Sequence, residues 1–342
     1  MNSFKLVRAW NSFWFAPVSA RPLGAFRIAL GTLALVSILL WLRDPIPWLT
    51  DAGIMRGQEP RQIAGVLRPS VLQWVQDPLS VRVFLWSLAA VAFAFTIGWR
   101  TRVMSILLYL GTLCIHHRVV FATTGADCLL MNLLFCAMLS PCGASFSLDS
   151  LRRRRKTGED VDALIAPWGQ RLIQIQISVL YFATASFKDR GLSWLDGTAI
   201  HYPLNNEEVR RYTFGLDHAP IELLNIFTHT VLYLEFALAF LLWVRAARPA
   251  MMIFGCFLHL GMILTINAPL FSELVLAGYF AFMTPADLSR IFGGMRVFSR
   301  PRAESPPKGV RFDPPEPALR GNHPALVASD DRATVSDREV HA

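Results

Sequence analysis

"QRLIQIQISVLYFATASFKDRG", residues 170–191, decides how the rest of the chain is read. At about 100° per residue, Gln174, Ser178, Tyr181, Thr184 and Lys188 fall on one broad face. The other faces carry mainly Leu, Ile, Val, Phe and Ala. That periodicity predicts a helix, and its length is near the ~20 residues that a bilayer-spanning helix needs. In hydrocarbon an unsatisfied polar group is costly, so the polar stripe must face other helices or a cavity.

The whole chain repeats this character. Its 342 residues are 53% hydrophobic and 17% charged, with a mean hydropathy of +0.38. Soluble domains carry roughly 25% charge. Apolar runs lie at about 23–42, 81–98, 103–121, 127–144, 171–188, 221–244, 249–267 and 270–287. The expected fold is therefore all-α: a polytopic membrane helix bundle of about eight transmembrane helices. Ten Trp and 24 Phe suit lipid-facing and interfacial positions.

The net charge of +8 does not point to nucleic acid, because the basic residues cluster in short connections between apolar runs. Lys5, Arg8 and Arg21 precede the first run, Arg100 and Arg102 follow the second, "LRRRRK" (151–156) follows the fourth, and Arg245 and Arg248 follow the sixth. Every second connection is thus basic, which places those connections and both termini in the cytoplasm. The longer loops 44–80 and 189–220 fall on the outer side, although Arg56, Arg61 and Arg68 weaken the bias in the first. The expected localisation is the bacterial inner membrane. Residues 1–22 read as an N-terminal interfacial segment, 23–290 as the transmembrane domain, and 291–342, rich in Pro and charge, as a disordered cytoplasmic tail. Cys114, Cys128, Cys136, Cys142 and Cys256 are scattered without a CxxC pair, so neither a disulfide framework nor a zinc site is expected.

Several ionisable residues sit within or beside the runs. Lys188 ends the polar stripe near the outer surface. It reads either as a lysine snorkelling at the membrane edge or as an amine in a low-dielectric pocket, neutral often enough to act as a base. Glu235 and His259 lie mid-span in the sixth and seventh runs, where each needs a partner, and they can pair with each other. His229 and Tyr233 share a different face from Glu235. Arg27 can pair with an acid or a lipid phosphate. Asp127, after "TTGA", suits a helix start and can face the same outer cavity as Lys188. His116 and His117 lack a third ligand at metal spacing. "WLDG" (194–197) supplies an interfacial tryptophan and a turn over the cavity.

The stretches "RPLGAFRIALGTLAL…WLTDAGIMR", "GWRTRVMSILLYLGTLCIHHRVVFATTGADCLLMNLLFCAMLSP", "QIQISVLYFATASFKDRGLSWLDGTAIHY" and "YLEFALAFLL…FLHLGMILTIN…FSELVLAGYFAFMTP" resemble the HTTM domain. That domain is shared by bacterial membrane proteins and the vitamin K-dependent gamma-glutamyl carboxylase. The resemblance covers roughly 20–290. It implies that Lys188 corresponds to the carboxylase lysine that initiates oxygenation of a reduced, vitamin K-like quinone. Phe187 precedes a single Lys188 where the carboxylase has a lysine pair, and Asp127 falls near a functional histidine of the carboxylase. The carboxylase also has a large lumenal domain after its spans, where this chain has only its short tail.

Three functions follow as expectations. The first is a carboxylase-like membrane enzyme with Lys188 as base, oriented by Tyr181 and Thr184, acting on a quinone or lipid-linked substrate. The second is a non-catalytic membrane partner for maturation or export of a protein or peptide. The third is a transporter using Glu235 and His259 as a proton relay.

Overall fold

The structure, a computed structural model, describes residues 3–54, 68, 70–75, 77–158 and 163–293. Arg56, Arg61 and nearly all of the expected tail lie outside the described residues.

Each apolar run becomes a helix with readable ends. The first helix, α1 (Ser3–Phe15), exposes Phe4, Leu6, Val7 and Trp10. Next comes α2 (Arg21–Arg43), with Pro22 in its first turn, where the missing N–H costs no helical bond. In α3 (Pro78–Ile97), Asp77 caps the Ser80 N–H, and Gly98 ends the helix at φ +74°, a left-handed turn that a side chain would strain. The bundle continues with α4 (Thr101–Arg118) and α5 (Gly125–Leu139), the latter opened by a capping box between Thr124 and Asp127.

"LRRRRK", expected as a connecting loop, is instead most of a short helix, α6 (Leu148–Thr157). A Ser147–Ser150 capping box starts it and Gly158 stops it, and local end signals of this kind outweigh the dense charge. Then follow α7 (Trp168–Lys188), α8 (Ile221–Leu241), α9 (Arg248–Thr265), α10 (Phe271–Tyr279), continued by a 3-10 turn to Phe282, and α11 (Pro285–Phe292). A two-stranded antiparallel pair, β1 (Val18–Ser19) with β2 (Leu164–Ile165), ties the start of α2 to the approach to α7.

Among the described residues, four helices, α2, α3, α8 and α9, are long and apolar enough to cross a membrane by length and composition, and α5 and residues 271–282 are shorter apolar helices. The core runs along α2, where Leu23, Phe26, Leu30, Ala34 and Ile38 recur at helical spacing and pack against Leu85, Leu88, Ala92 and Phe95 of α3. Gly31 lets that pair approach closely, since a Cβ there would strike Thr96 and Phe95.

The starts of α2, α4, α7 and α9 meet the ends of α3, α5, α8 and the 271–282 helix at one end of the bundle. Arg27 staples that end together. Its guanidinium donates to four carbonyls: Cys142 (3.1 Å), Ser145 (3.2 Å), Thr96 (3.3 Å) and Phe146 (2.5 Å). Among the described residues these backbone carbonyls, rather than a carboxylate, are its hydrogen-bond partners, which makes its role structural. The irregular 140–147 segment leaves carbonyls without helical donors, and a buried fork of N–H groups satisfies them.

Candidate functional site

The polar stripe of α7 faces inward and finds a partner at each step. Gln174 donates to the Ala281 carbonyl at 2.6 Å. Ser178 accepts from the Trp243 indole N–H at 2.8 Å. Tyr181 bonds to His259 Nε2 at 2.7 Å and to the Tyr279 hydroxyl at 2.5 Å, and His259 Nδ1 meets Ser272 Oγ at 3.1 Å. Tyr181, His259, Ser272 and Tyr279 are all buried. Either histidine tautomer closes this chain of donors and acceptors. With the proton on Nδ1, bonds run Tyr279→Tyr181→His259→Ser272, and with the proton on Nε2 the whole chain reverses.

Two turns past Tyr181 on α7, Lys188 Nζ donates to Glu235 Oε1, and the Thr184 hydroxyl, one turn nearer, is shared between the Leu180 carbonyl at 2.9 Å and Glu235 Oε2 at 3.2 Å. The Trp194 ring lies over the amine, 4.7 Å from nitrogen to ring centre. The Lys188 and Glu235 side chains are 23% and 7% exposed, so the pair is largely shielded from solvent.

Two expectations change here. First, Glu235 pairs with Lys188 and Thr184, while His259 pairs with Tyr181 and Ser272, so no hydrogen bond joins Glu235 to His259. The α7 stripe lies between α8 and α9 and supplies both partners. Second, Lys188 ends α7 but does not end the packed helices around it. Beyond Glu235, α8 runs on to Ile221, about 21 Å further at 1.5 Å per residue. Residues 192–201 fold back along that extension: Leu195 O meets His229 Nε2 at 3.4 Å, the Ile200 N–H meets Thr228 Oγ1 at 3.3 Å, and Gly197, at φ +84°, packs on Asn225. Asp196 accepts from the Thr198 N–H and hydroxyl at 2.9 and 2.6 Å, and these bonds hold its carboxyl below the usual 3.8.

Asp127 stands apart from Lys188. It is the third residue of the capping box, accepting from the Thr124 N–H and hydroxyl at 2.8 Å each, and lies 3.9 Å from His116 Nε2. It lines a cavity of about 320 Å³ with Trp41, Arg43, Asp44 and Trp48, and Lys188 is not in that lining. His229 stacks on Tyr233 at 6.4 Å, on a face away from Glu235. Among the described residues, no group of three or more His, Cys, Asp or Glu is placed to hold a metal ion, and the five cysteines are free thiols.

Sequence reasoning missed Tyr279 and Ser272. Their separation of seven residues puts them on one helix face. A Ser and a Tyr one heptad apart in a largely apolar run, broken otherwise by Glu273, is the signal that could have found them.

These elements lie within residues 15–286, which match the HTTM domain. The chain belongs to the HTTM family. The apolar helices and the HTTM domain are those of a membrane protein. The chain is also similar to the uncharacterized protein YitO of Bacillus subtilis (strain 168), 26% identical over 127 residues, which are 36% of this chain and 40% of that protein. The HTTM chain thus spans under half the length of that relative. No solved structure matches it.

Proposed function

We propose that this HTTM protein is a multi-pass inner-membrane protein with eight transmembrane helices, α2–α5 and α7–α10, and cytoplasmic termini. In this reading Lys188 and Glu235 form a proton-handling pair acting on a hydroxyl-bearing ring substrate that arrives through the membrane: a reduced quinone or a lipid-linked analogue. One observation carries the proposal: an amine and a carboxylate in contact inside the bundle, beneath an aromatic ring. Ionisable side chains in such interiors are costly and mark function by default.

The chemistry follows from the pair. When the shared proton rests on Glu235, the Lys188 nitrogen has a free lone pair. It can take a proton from a substrate hydroxyl and hold the resulting anion beside an ammonium group. Thr184 fixes the second oxygen of Glu235, and Trp194 offers a flat face on which a ring can stack. The Tyr181–His259–Tyr279 cluster, reversible in its hydrogen-bond direction, holds α9 and the 271–282 helix against this site. The family resemblance supports the same assignment, since it carries the initiating base onto Lys188.

The test is consumption of a reduced naphthoquinone by purified protein in lipid nanodiscs. K188M is expected to lose turnover by at least about 100-fold, the low end of what a general base supplies. K188M/E235Q, which leaves no buried charge behind, should be equally inactive while keeping most of the wild-type melting temperature. Wild-type turnover in either variant would overturn the reading. An inert wild-type protein that co-purifies with a stoichiometric partner would favour the maturation or export role instead.

A further inference from the structure

The four long apolar helices differ in how much of their surface the protein itself covers. In α2 56% of the spanning window is buried, and in α9 only 11%. The outward face of α9 is not flat. With residues 283–291 it encloses a groove of about 410 Å³, lined along α9 by Pro249, Met252, Ile253, Cys256, Phe257 and Leu260. From Pro249 to Leu260 the groove runs eleven residues, about 16 Å along the helix. That is close to half of the ~30 Å hydrocarbon core, the depth of one lipid leaflet.

Charge collects at one end only. Arg248 closes the groove, Arg245 follows in the turn before α9, and Arg290 sits beside Asp287 at 3.8 Å. Three positive groups against the one carboxylate of Asp287 leave two in excess at the groove head. That carboxylate is committed to the Thr284 capping box. Arg248 gives three of its donors to the carbonyls of Leu242, Trp243 and Phe282. A guanidinium has five, so two remain. Arg245 is exposed and makes no hydrogen bond among the described residues.

We infer that this groove binds one anionic glycerophospholipid, its acyl chain along α9 and its phosphate at Arg245, Arg248 and Arg290. A second copy of this chain would need a negative patch to meet these arginines, and a zwitterionic lipid carries its own cation into an already positive site. An acidic headgroup on an apolar chain matches both halves of the groove. The inference is independent of the Lys188 chemistry.

Cys256 is exposed within the groove and serves as a native probe, with exposed Cys128 on α5 as the reference. The delipidated full chain, in a neutral detergent, is treated with N-ethylmaleimide, and the rate at each cysteine is read by mass spectrometry. Phosphatidylglycerol is expected to slow modification of Cys256 about fivefold more than phosphatidylcholine, the equivalent of about 1 kcal/mol. Inorganic phosphate should leave Cys256 unprotected, and Cys128 should react alike in every arm. R245Q/R290Q, which alters only exposed side chains, should equalise the two lipids. Equal protection by both lipids in the wild type would overturn the inference. So would protection by phosphate alone, or lipid-independent protection that grows with protein concentration and marks a second copy.

Discussion

Arg27 and Lys188 are both cations within helices of the bundle, and their surroundings could hardly differ more. Arg27 is fully buried and surrounded by four backbone carbonyls, none of which can give up or take a proton. Lys188 meets a single titratable carboxylate, with a hydroxyl behind it and an aromatic ring over it. A cation held by carbonyls is a staple, because its charge has no reason to change. A cation held by a carboxylate is a place where a proton can move between two states that keep the same hydrogen bond.

The sharpest way to break this contrast is at Arg27. R27M leaves four buried carbonyls without donors, and the expected loss is about 4 kcal/mol or more, seen as a collapse of the melting transition in detergent. Removing another charge cannot rescue it, because the orphaned acceptors are backbone. K188M should cost about 3 kcal/mol, because it strands Glu235 in the interior. Here rescue is expected: adding E235Q removes the stranded charge and should restore most of the melting temperature. If R27M proves mild, or the K188M/E235Q pair is no better than K188M, the two cations are not different in kind.

A smaller effect probes the cluster beside Lys188. A Cβ at Gly255 of α9 would press on the Tyr279 hydroxyl, with the ring Cζ only 2.8 Å away. G255V should cost about 2 kcal/mol by overpacking. It should also shift the ultraviolet signature of Tyr279 by breaking its bond to Tyr181, while Y279F alone should cost about 1 kcal/mol. An unshifted tyrosine spectrum in G255V would show that α9 can move aside.

The smallest effect sits outside the helices that hold the two cations, at Asp149. Burial alone would raise its carboxyl, but hydrogen bonds from the Thr101 N–H and hydroxyl (both 2.7 Å) and the Arg100 N–H (2.9 Å) hold it below 3.8. A lowered folded value means that its contribution is fully present above pH about 4 and fades as pH falls through the folded value. D149N should therefore cost about 1 kcal/mol at neutral pH and flatten the acid limb of the stability curve below pH about 4. A pH profile identical to wild type would remove Asp149 from the staple that joins α4 to α6.

The apolar helices and the inward stripe of α7 were legible in the chain, because helical periodicity and apolar run length are properties of single segments. Asp127 as a helix-start acid was legible for the same reason, since a capping box is local. The arginine-rich α6 was readable in principle from Ser147 and Gly158, but its charge read as a loop. Tyr279 was missed because one hydroxyl in an apolar run makes no stripe.

By itself, then, the sequence determined that this chain makes apolar helices, that α7 turns polar groups inward, and that Lys188 ends that row. Only the tertiary structure decided which carboxylate Lys188 meets, that Arg27 closes on carbonyls 115 or more residues away in the 142–146 segment, and that Asp127 lines a cavity with Trp41 and Trp48. The reason is physical. The period of a helix sets the face a side chain takes, but the depth at which two helices pass is set by the packing of all their neighbours. The long reach of α8 past the end of α7, which carries Glu235 to Lys188, is written in neither helix alone.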